Sequence, residues 1–381
     1  MIFSKTELRE IQRNFPITNQ YIFFNTAGVA PISLPSQKII RALSEDLCKI
    51  GYYKLKEWNA KIPIAREEAA ALINSSPKEI AFVKNTSHGL SLVAEGIEWQ
   101  PGDEVIISDQ EFPANVYPWL NLKKKGVKVV TIRSKNSRLE IDQINNALTP
   151  RTKLISLSSV EYATGFRNNL TSIGQLCQKH RILFCVDGIQ SLGSIPMDVK
   201  RHKIDFLAAD GHKWLVAPEG AGIFYCRKSR LKKLKLTLVG WNTVQNASNY
   251  HKINFRPKNT SQRFEEGSHN LIGIHALAAS IKLLRSIGIE RINQWNLYLT
   301  DILLEGLKDR GNKILSSTLQ EYRSSIISFT TGSKIKDKLM FNHLIKNKVI
   351  LSLRGKGLRL SPHLFNTPLE ATRFFHLLDN F

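Results

Sequence analysis

Short runs of β-branched and aromatic residues alternate with amphipathic stretches over the first two thirds of the chain. The apolar runs are AFVKN (81–85), EVIISD (104–109), KVVTI (128–132), KLISLSSV (153–160), ILFCVDG (182–188) and FLAAD (206–210). Each is short and bounded by polar residues, as buried strands are. Between them, SLVAEGIEW and LTSIGQLCQKHR carry apolar residues at helical spacing. The alternation predicts βαβ units, hence an α/β protein with a mostly parallel, doubly wound sheet. Such sheets bind ligands at the carboxyl ends of their strands.

Beyond about residue 255 the pattern changes. One long helical region is expected from Ile272 to about Leu307, then the strand SSIISFTT, a helix from about Asp337, and the strand pair VILSLR and GLRLSP. This predicts a smaller C-terminal α+β domain. The expected division is 1–20 as an N-terminal segment near the small domain, 21–260 as the large domain, and 261–381 as an interface helix plus the small domain. Residues 242–262, rich in Asn, Lys and Ser, read as an exposed connection.

With 42% hydrophobic and 23% charged residues over 381 positions, the composition is that of a globular chain with a large core. The four cysteines, Cys48, Cys177, Cys185 and Cys226, form no CxxC pair. A reducing compartment and a cytoplasmic location are the expectation. The N-terminal residues lack the continuous apolar segment of a secretory signal, and no run approaches a membrane span, so no membrane partner is expected. The net charge of +22 raises the question of a polyanion. Its basic residues are spread along the chain without interleaved aromatics, so no nucleic-acid partner is expected. A positive field also attracts small anionic substrates or a phosphorylated cofactor.

Lys213, in DGHKWLVAPEGAG, follows the strand FLAAD and should emerge where ligands bind. Burial would lower its pKa and leave an amine able to form an imine with a carbonyl. Alone, such a lysine is most often solvated surface charge. Asp187 ends the preceding strand and should lie beside it. It is suited to hold a pyridine nitrogen protonated, although Asp at a strand-to-helix turn is also a common N-cap. Gln190 could donate to a ring oxygen or simply fill the turn. Thr86-Ser87-His88-Gly89 opens a helix after AFVKN, so free amides and hydroxyls meet where an anion is favoured; plain capping is the competing reading. Amine, ring-partner carboxylate and phosphate cradle together are what pyridoxal 5'-phosphate requires.

These segments resemble the class V aminotransferase family, in its cysteine desulfurase and selenocysteine lyase-like branch. VDGIQSLGSIPMDV followed by DFLAADGHKWL is similar to its cofactor-binding block. The resemblance implies fold type I, pyridoxal 5'-phosphate held by Lys213 as a Schiff base, Asp187 on the ring nitrogen, Gln190 on the ring oxygen and His212 on the phosphate. Thr86 and Ser87 fall in the phosphate loop. Phe112 takes the ring-stacking place where desulfurases commonly carry histidine. Asp210 stands where many relatives have serine. YIFFNTAGVAPIS places Asn25, Thr26 and Ala27 near the substrate, and VEYATGFRNNL places Tyr162 beside the cofactor. FEEGSHN resembles the strap that crosses a dimer interface, so a homodimer is implied with Ser268 on the partner's phosphate. LRLSPHLFNT resembles the carboxylate-binding element, which gives Arg359 that role and Arg354 a secondary one.

One departure bears on the reaction. Desulfurases carry a nucleophilic cysteine shortly before this arginine, yet residues 331–366 contain none. The expected activity is therefore that of an aminotransferase or a C–S/C–Se lyase acting on an amino acid through an α-carbanion. An epimerase of the same family and a catalytically inactive binding protein are the alternatives. No metal site is expected.

Overall fold

The computed structural model describes residues 2–381, and its frame is a seven-stranded sheet with a second, smaller lobe. A two-residue strand, β1 (Ile22–Phe23), precedes that sheet. The large sheet comprises β2 (Ile80–Val83), β3 (Glu104–Ser108), β4 (Lys128–Ile132), β5 (Thr152–Ser158), β6 (Leu183–Asp187), β7 (Phe206–Asp210) and β8 (Gly222–Cys226). Their order is β2-β8-β7-β6-β5-β3-β4. Neighbours from β7 through β4 are parallel, while β8 runs antiparallel to both β7 and β2. The carboxyl ends of β2, β3, β5, β6 and β7 therefore share one edge.

Six of these strands are the runs read from the sequence. β8 was not anticipated, because GIFYC follows the glycine-rich turn after Lys213 without an intervening helix and breaks the βαβ rhythm. Every residue of β2, β3, β6, β7 and β8 is buried, as expected of strands covered on both faces.

The smaller lobe holds β9 (Lys313–Ile314), β10 (Ile327–Thr330), β11 (Val349–Ile350), β12 (Ser352–Arg354) and β13 (Gly357–Leu360). Four of these form an antiparallel sheet in the order β12-β13-β10-β9, and β11 pairs in parallel with β1. Phe24, Leu303, Leu307, Phe329, Leu344, Leu360 and Phe374 share its core. The chain just after β1 thus runs from the small lobe into the large one.

The long helix expected from Ile272 to Leu307 is two helices, Leu271–Ile287 and Ile289–Asp309, bent by 77°. Gly288, at φ 96°, supplies the break, since a side chain there would be strained. Ile274, Leu277, Ile281 and Leu284 of the first helix pack into the core of the large sheet, as do Ile292, Trp295 and Leu299 of the second. The end of the second helix, Leu303 to Leu307, lies in the small-lobe core. The seam between the lobes therefore runs through helix Ile289–Asp309. Phe3 packs edge-on against Trp295 and Phe15 packs at a tilt against Phe365 along that seam.

Helix Thr86–Gly96 crosses β7 at close range, and Gly89 makes this possible. A Cβ there would lie 2.6 Å from the Cβ of Ala208 in β7. Gly89→Ala should destabilise the apo-protein by about 1–3 kcal/mol, because neither backbone can yield without moving the sheet. Denaturant unfolding measures this, and an unchanged midpoint would contradict the packing described.

Candidate active site

The carboxyl edge of the large sheet opens into a cavity of about 610 Å³. Its lining includes Asn25, Ala27, Thr86, Ser87, Phe112, Tyr162, Asp187, Gln190, Asp210, His212, Lys213, Arg354 and Arg359. Of the site residues expected from sequence, two do not line it: Thr26 is fully buried between Asn25 and Ala27, and Ser268 lies elsewhere in its own chain. It is exposed and lines a neighbouring depression with Lys84, His88 and Gly220.

Parallel register sets the chemistry. Asp187 ends β6 beside Ala208 of β7, and the turn after β7 delivers Lys213. Asp187 is buried, and one of its oxygens accepts from the Ile189 N–H at 3.0 Å. No helix follows β6, so this bond closes a turn rather than capping a helix, and it leaves the other carboxylate oxygen free for a ring partner. Burial pushes the Asp187 carboxyl up to about 6, while the Ile189 amide and the Lys213 cation pull it down. Lys213 is lowered to about 8, first by burial and then by Arg359 and Arg354, with Asp187 opposing. A sizeable fraction of this amine is therefore neutral near pH 7.5.

The turn carrying Lys213 is tied on several sides. The His212 carbonyl accepts from Ala30 N–H at 2.8 Å, and the Lys213 carbonyl accepts from Val216 N–H at 2.9 Å. His363, fully buried and held neutral by that burial, sits 3.0 Å through Nε2 from the Trp214 carbonyl. Gly193, at φ 99°, is required opposite: its Cβ would fall 2.2 Å from the same carbonyl. Gln190 closes the arrangement by donating to Ala27 O at 3.1 Å and accepting from Trp214 Nε1 at 2.8 Å. One amide hydrogen of Gln190 remains for the cavity.

At the phosphate end the N-cap is Asn85, whose side chain accepts from His88 N–H at 2.9 Å. Asn85 also lines the cavity and was not singled out from sequence, although Asn before a helix is itself a capping signal. The Thr86 and Ser87 amides lie in the first turn, where no preceding carbonyl is available and an anion is favoured. Thr86 Oγ1 accepts from Asp210 N–H at 3.1 Å, tying the helix start to the end of β7. Asp210 accepts from Gly211 N–H at 2.7 Å and lies 2.9 Å from His212 Nδ1. Its carboxylate thus accepts from its own turn and lies at ion-pair distance from His212 Nδ1, which makes no hydrogen bond.

Phe112 is 42% exposed, with the Lys213 ammonium 5.6 Å from its ring centre and Tyr162 edge-on at 5.1 Å. The Tyr162 carbonyl accepts from Arg359 Nη1 at 2.6 Å. Arg359 is 1% exposed, has no ion-pair partner among the described residues, and its Nε has no hydrogen-bond acceptor. Burial, then Arg354, lowers it to about 10. A buried guanidinium without an acid needs an anionic ligand, and a carboxylate meets that need bidentately. Asn25 Oδ1 and Thr26 Oγ1, also buried without partners, lie in the chain crossing between the lobes beside it. Arg354 is exposed at the tip of the β12–β13 hairpin.

The residues fit pyridoxal 5'-phosphate: Lys213 for its aldehyde, Asp187 for its ring nitrogen, Phe112 for its ring face, and the Thr86–Ser87 turn for its phosphate. No cysteine lines the cavity. Cys177, Cys185 and Cys226 are buried thiols pushed upward by desolvation, and Cys48 is exposed on helix Leu34–Ile50. Because only neutral amine attacks an aldehyde, capture of added pyridoxal phosphate should accelerate as pH rises through about 8 and then level off. Stopped-flow absorbance follows this, and a rate still climbing steeply at pH 10 would mean that Lys213 is not desolvated.

Comparison with known proteins agrees with this site. The family model described as Aminotransferase class-V matches residues 51–365. A probable cysteine desulfurase of Methanothermobacter thermautotrophicus is 30% identical, with 97% of this chain and 96% of that protein covered. A structure of C-DES with glycine covalently linked to its pyridoxal phosphate cofactor superposes with a TM-score of 0.91 at 23% identity, covering 97% of this chain and 99% of that one. The cystine C–S lyase C-DES with its reaction product, cysteine persulfide, superposes at 0.90 with 24% identity, covering 96% and 99%. Lysine, ring-partner carboxylate, helix-start cradle and family match converge: this chain belongs to the class V aminotransferase family and is a pyridoxal 5'-phosphate-dependent enzyme.

Proposed function

We propose that this enzyme is a C–S lyase that eliminates the β-substituent of a sulfur-containing amino acid, working as a homodimer. The observation carrying this reading is a cavity that joins a carboxylate-binding arginine to a proton-moving lysine and contains no thiol. A desulfurase needs a cysteine to take sulfur as a persulfide. Here the sulfur must leave with the substrate's own fragment.

Arg359 binds the α-carboxylate through the guanidinium edge that Tyr162 leaves free, and Arg354 adds positive charge at the mouth. When bound, the cofactor supplies an electron sink for the α-carbon. Asp187 keeps the ring nitrogen protonated, which its ionised form does at neutral pH. The neutral Lys213 amine takes the α-proton at Nζ. Phe112 and Tyr162 wall the β-side with aromatic surface, and the Phe112 ring, unlike an imidazole, has no proton to offer. The C–S bond breaks heterolytically, and the sulfur leaves with the electron pair and takes up a proton. Hydrolysis of the remaining fragment gives pyruvate and ammonia, so no external oxidant or reductant is required. The similar C–S lyase, whose product is a cysteine persulfide, supports a disulfide amino acid as substrate.

The dimer reading rests on exposed apolar surface. Trp241, Tyr250, Ile253 and Phe255 line or flank a depression in the connection 240–256, and Ile253 is 92% exposed. A second copy covering this surface, with Ser268 brought to its partner's phosphate, accounts for both features. Sedimentation should give a dimer that Ile253→Lys weakens; a monomer at micromolar concentration with full cofactor binding would contradict it.

Holoenzyme incubated with L-cystine should form pyruvate in step with thiol-reducible persulfide. Arg359→Gln should raise KM about tenfold or more, the worth of a charge-assisted bond to carboxylate. Keto acid formed with amino transfer to an acceptor, or racemisation without pyruvate, would replace this reading by transamination or epimerisation.

A further inference from the structure

Behind Asp187 lie two more buried carboxyl groups that the mechanism does not use. Glu111 enters from the loop after β3 and Glu161 from the turn after β5, at 7% and 0% exposure. They precede Phe112 and Tyr162, the aromatic wall of the cavity. We propose that Glu161 is a positioning acid for the ring-nitrogen partner, held neutral beside the better hydrogen-bonded Glu111, so that three carboxyl groups set the cofactor ring's protonation.

The hydrogen bonds divide the two unequally. Glu111 accepts three: from Ser158 N–H at 2.8 Å, Ser158 Oγ at 2.6 Å and Asn115 Nδ2 at 2.8 Å. Donors on both oxygens stabilise its ionised form. Glu161 accepts one, from Asn168 Nδ2 at 3.0 Å, and its Oε2 is buried without a partner. An isolated buried oxygen is the natural place for the proton.

The pair is wired to Asp187 through one strand position. Ser158, which Glu111 grips, is in register with Asp187 across the β5–β6 ladder. Asn168 Nδ2, which binds Glu161, also donates to the Ser158 carbonyl at 2.8 Å. The charged groups facing Glu161 are Glu111 and Asp109 from the loop after β3 and Asp187 from β6. Lys213 lies beyond Asp187, and Arg359 of β13 is committed to the Tyr162 carbonyl. No lysine or arginine bonds to either glutamate among the described residues. Burial, then Glu111, holds Glu161 well above the usual carboxylate range, and burial lifts Glu111 to about 7.

With Glu161 neutral, Asp187 can ionise at neutral pH without a third like charge beside it. As pH rises and Glu161 ionises, the added charge favours the protonated ring, which then persists further into alkali. The inference rests on the cofactor and is independent of which bond the enzyme breaks.

Glu161→Gln preserves shape and fixes the neutral state. A carboxyl raised in the folded state contributes stability at low pH that is lost as pH climbs through its folded pKa. The apo wild type should therefore lose thermal stability from pH 5 to 8, and Glu161→Gln should lose less. Wild-type infrared spectra at pH 7 should contain a protonated-carboxyl band that the substitution diminishes without abolishing, since Glu111 and Glu370 are also raised to about 7. In protein loaded with ring-15N cofactor, the NMR midpoint of ring deprotonation should move to lower pH in the variant. Absence of that band in the wild type overturns the proposal even if the variant fails to fold. A ring midpoint unchanged in folded Glu161→Gln overturns the link to Asp187.

Discussion

The site depends on a carboxylate and an amine brought together in a place that water hardly reaches. Asp187 ends β6 and Lys213 sits on the hydrogen-bonded turn after β7, so their proximity is set by the β6–β7 ladder and the ties on that turn. Desolvation pushes the two pKa values toward each other, and their mutual attraction keeps each close to its working form. A parallel sheet places both at its carboxyl edge, where the cofactor's ring and aldehyde are needed at the same time.

The second lobe completes the site from the other side. β13 supplies Arg359, and the N-terminal chain passes from β1 through Asn25 to Ala27 and Ala30, bonding both lobes. The cavity is therefore lined from both lobes, with Arg359 contributed by the smaller one and Lys213 and Asp187 by the large sheet. The buried guanidinium of Arg359 has no acidic partner among the described residues, and no cysteine lines the cavity, which are the two observations on which the proposed lyase reading rests.

Much of this was legible in the sequence because chemistry-bearing residues sat directly after apolar runs. Asp187, Lys213 and the Thr86–Ser87 turn are local strand-end features, and the cavity gathers them as expected. Four features were not legible. β8 lacks a preceding helix, so nothing in the periodic pattern announced an antiparallel strand between β7 and β2. The bend at Gly288 interrupts an amphipathic run whose apolar spacing continues on both sides. Glu111 and Glu161 look like surface acids in a linear reading, since only the tertiary fold buries them against Ser158 and Asn168. The commitment of Gln190 to Ala27 and Trp214 is likewise a long-range fact that spacing cannot express.

The account stands on Lys213 being the amine that holds the cofactor. Reduction of the holoenzyme with borohydride, followed by peptide mapping by mass spectrometry, tests this directly. The phosphopyridoxyl mass is predicted on the peptide containing Lys213 and nowhere else, and Lys213→Ala should carry no label. A label distributed over surface lysines, or fixed on another residue, would contradict the central claim.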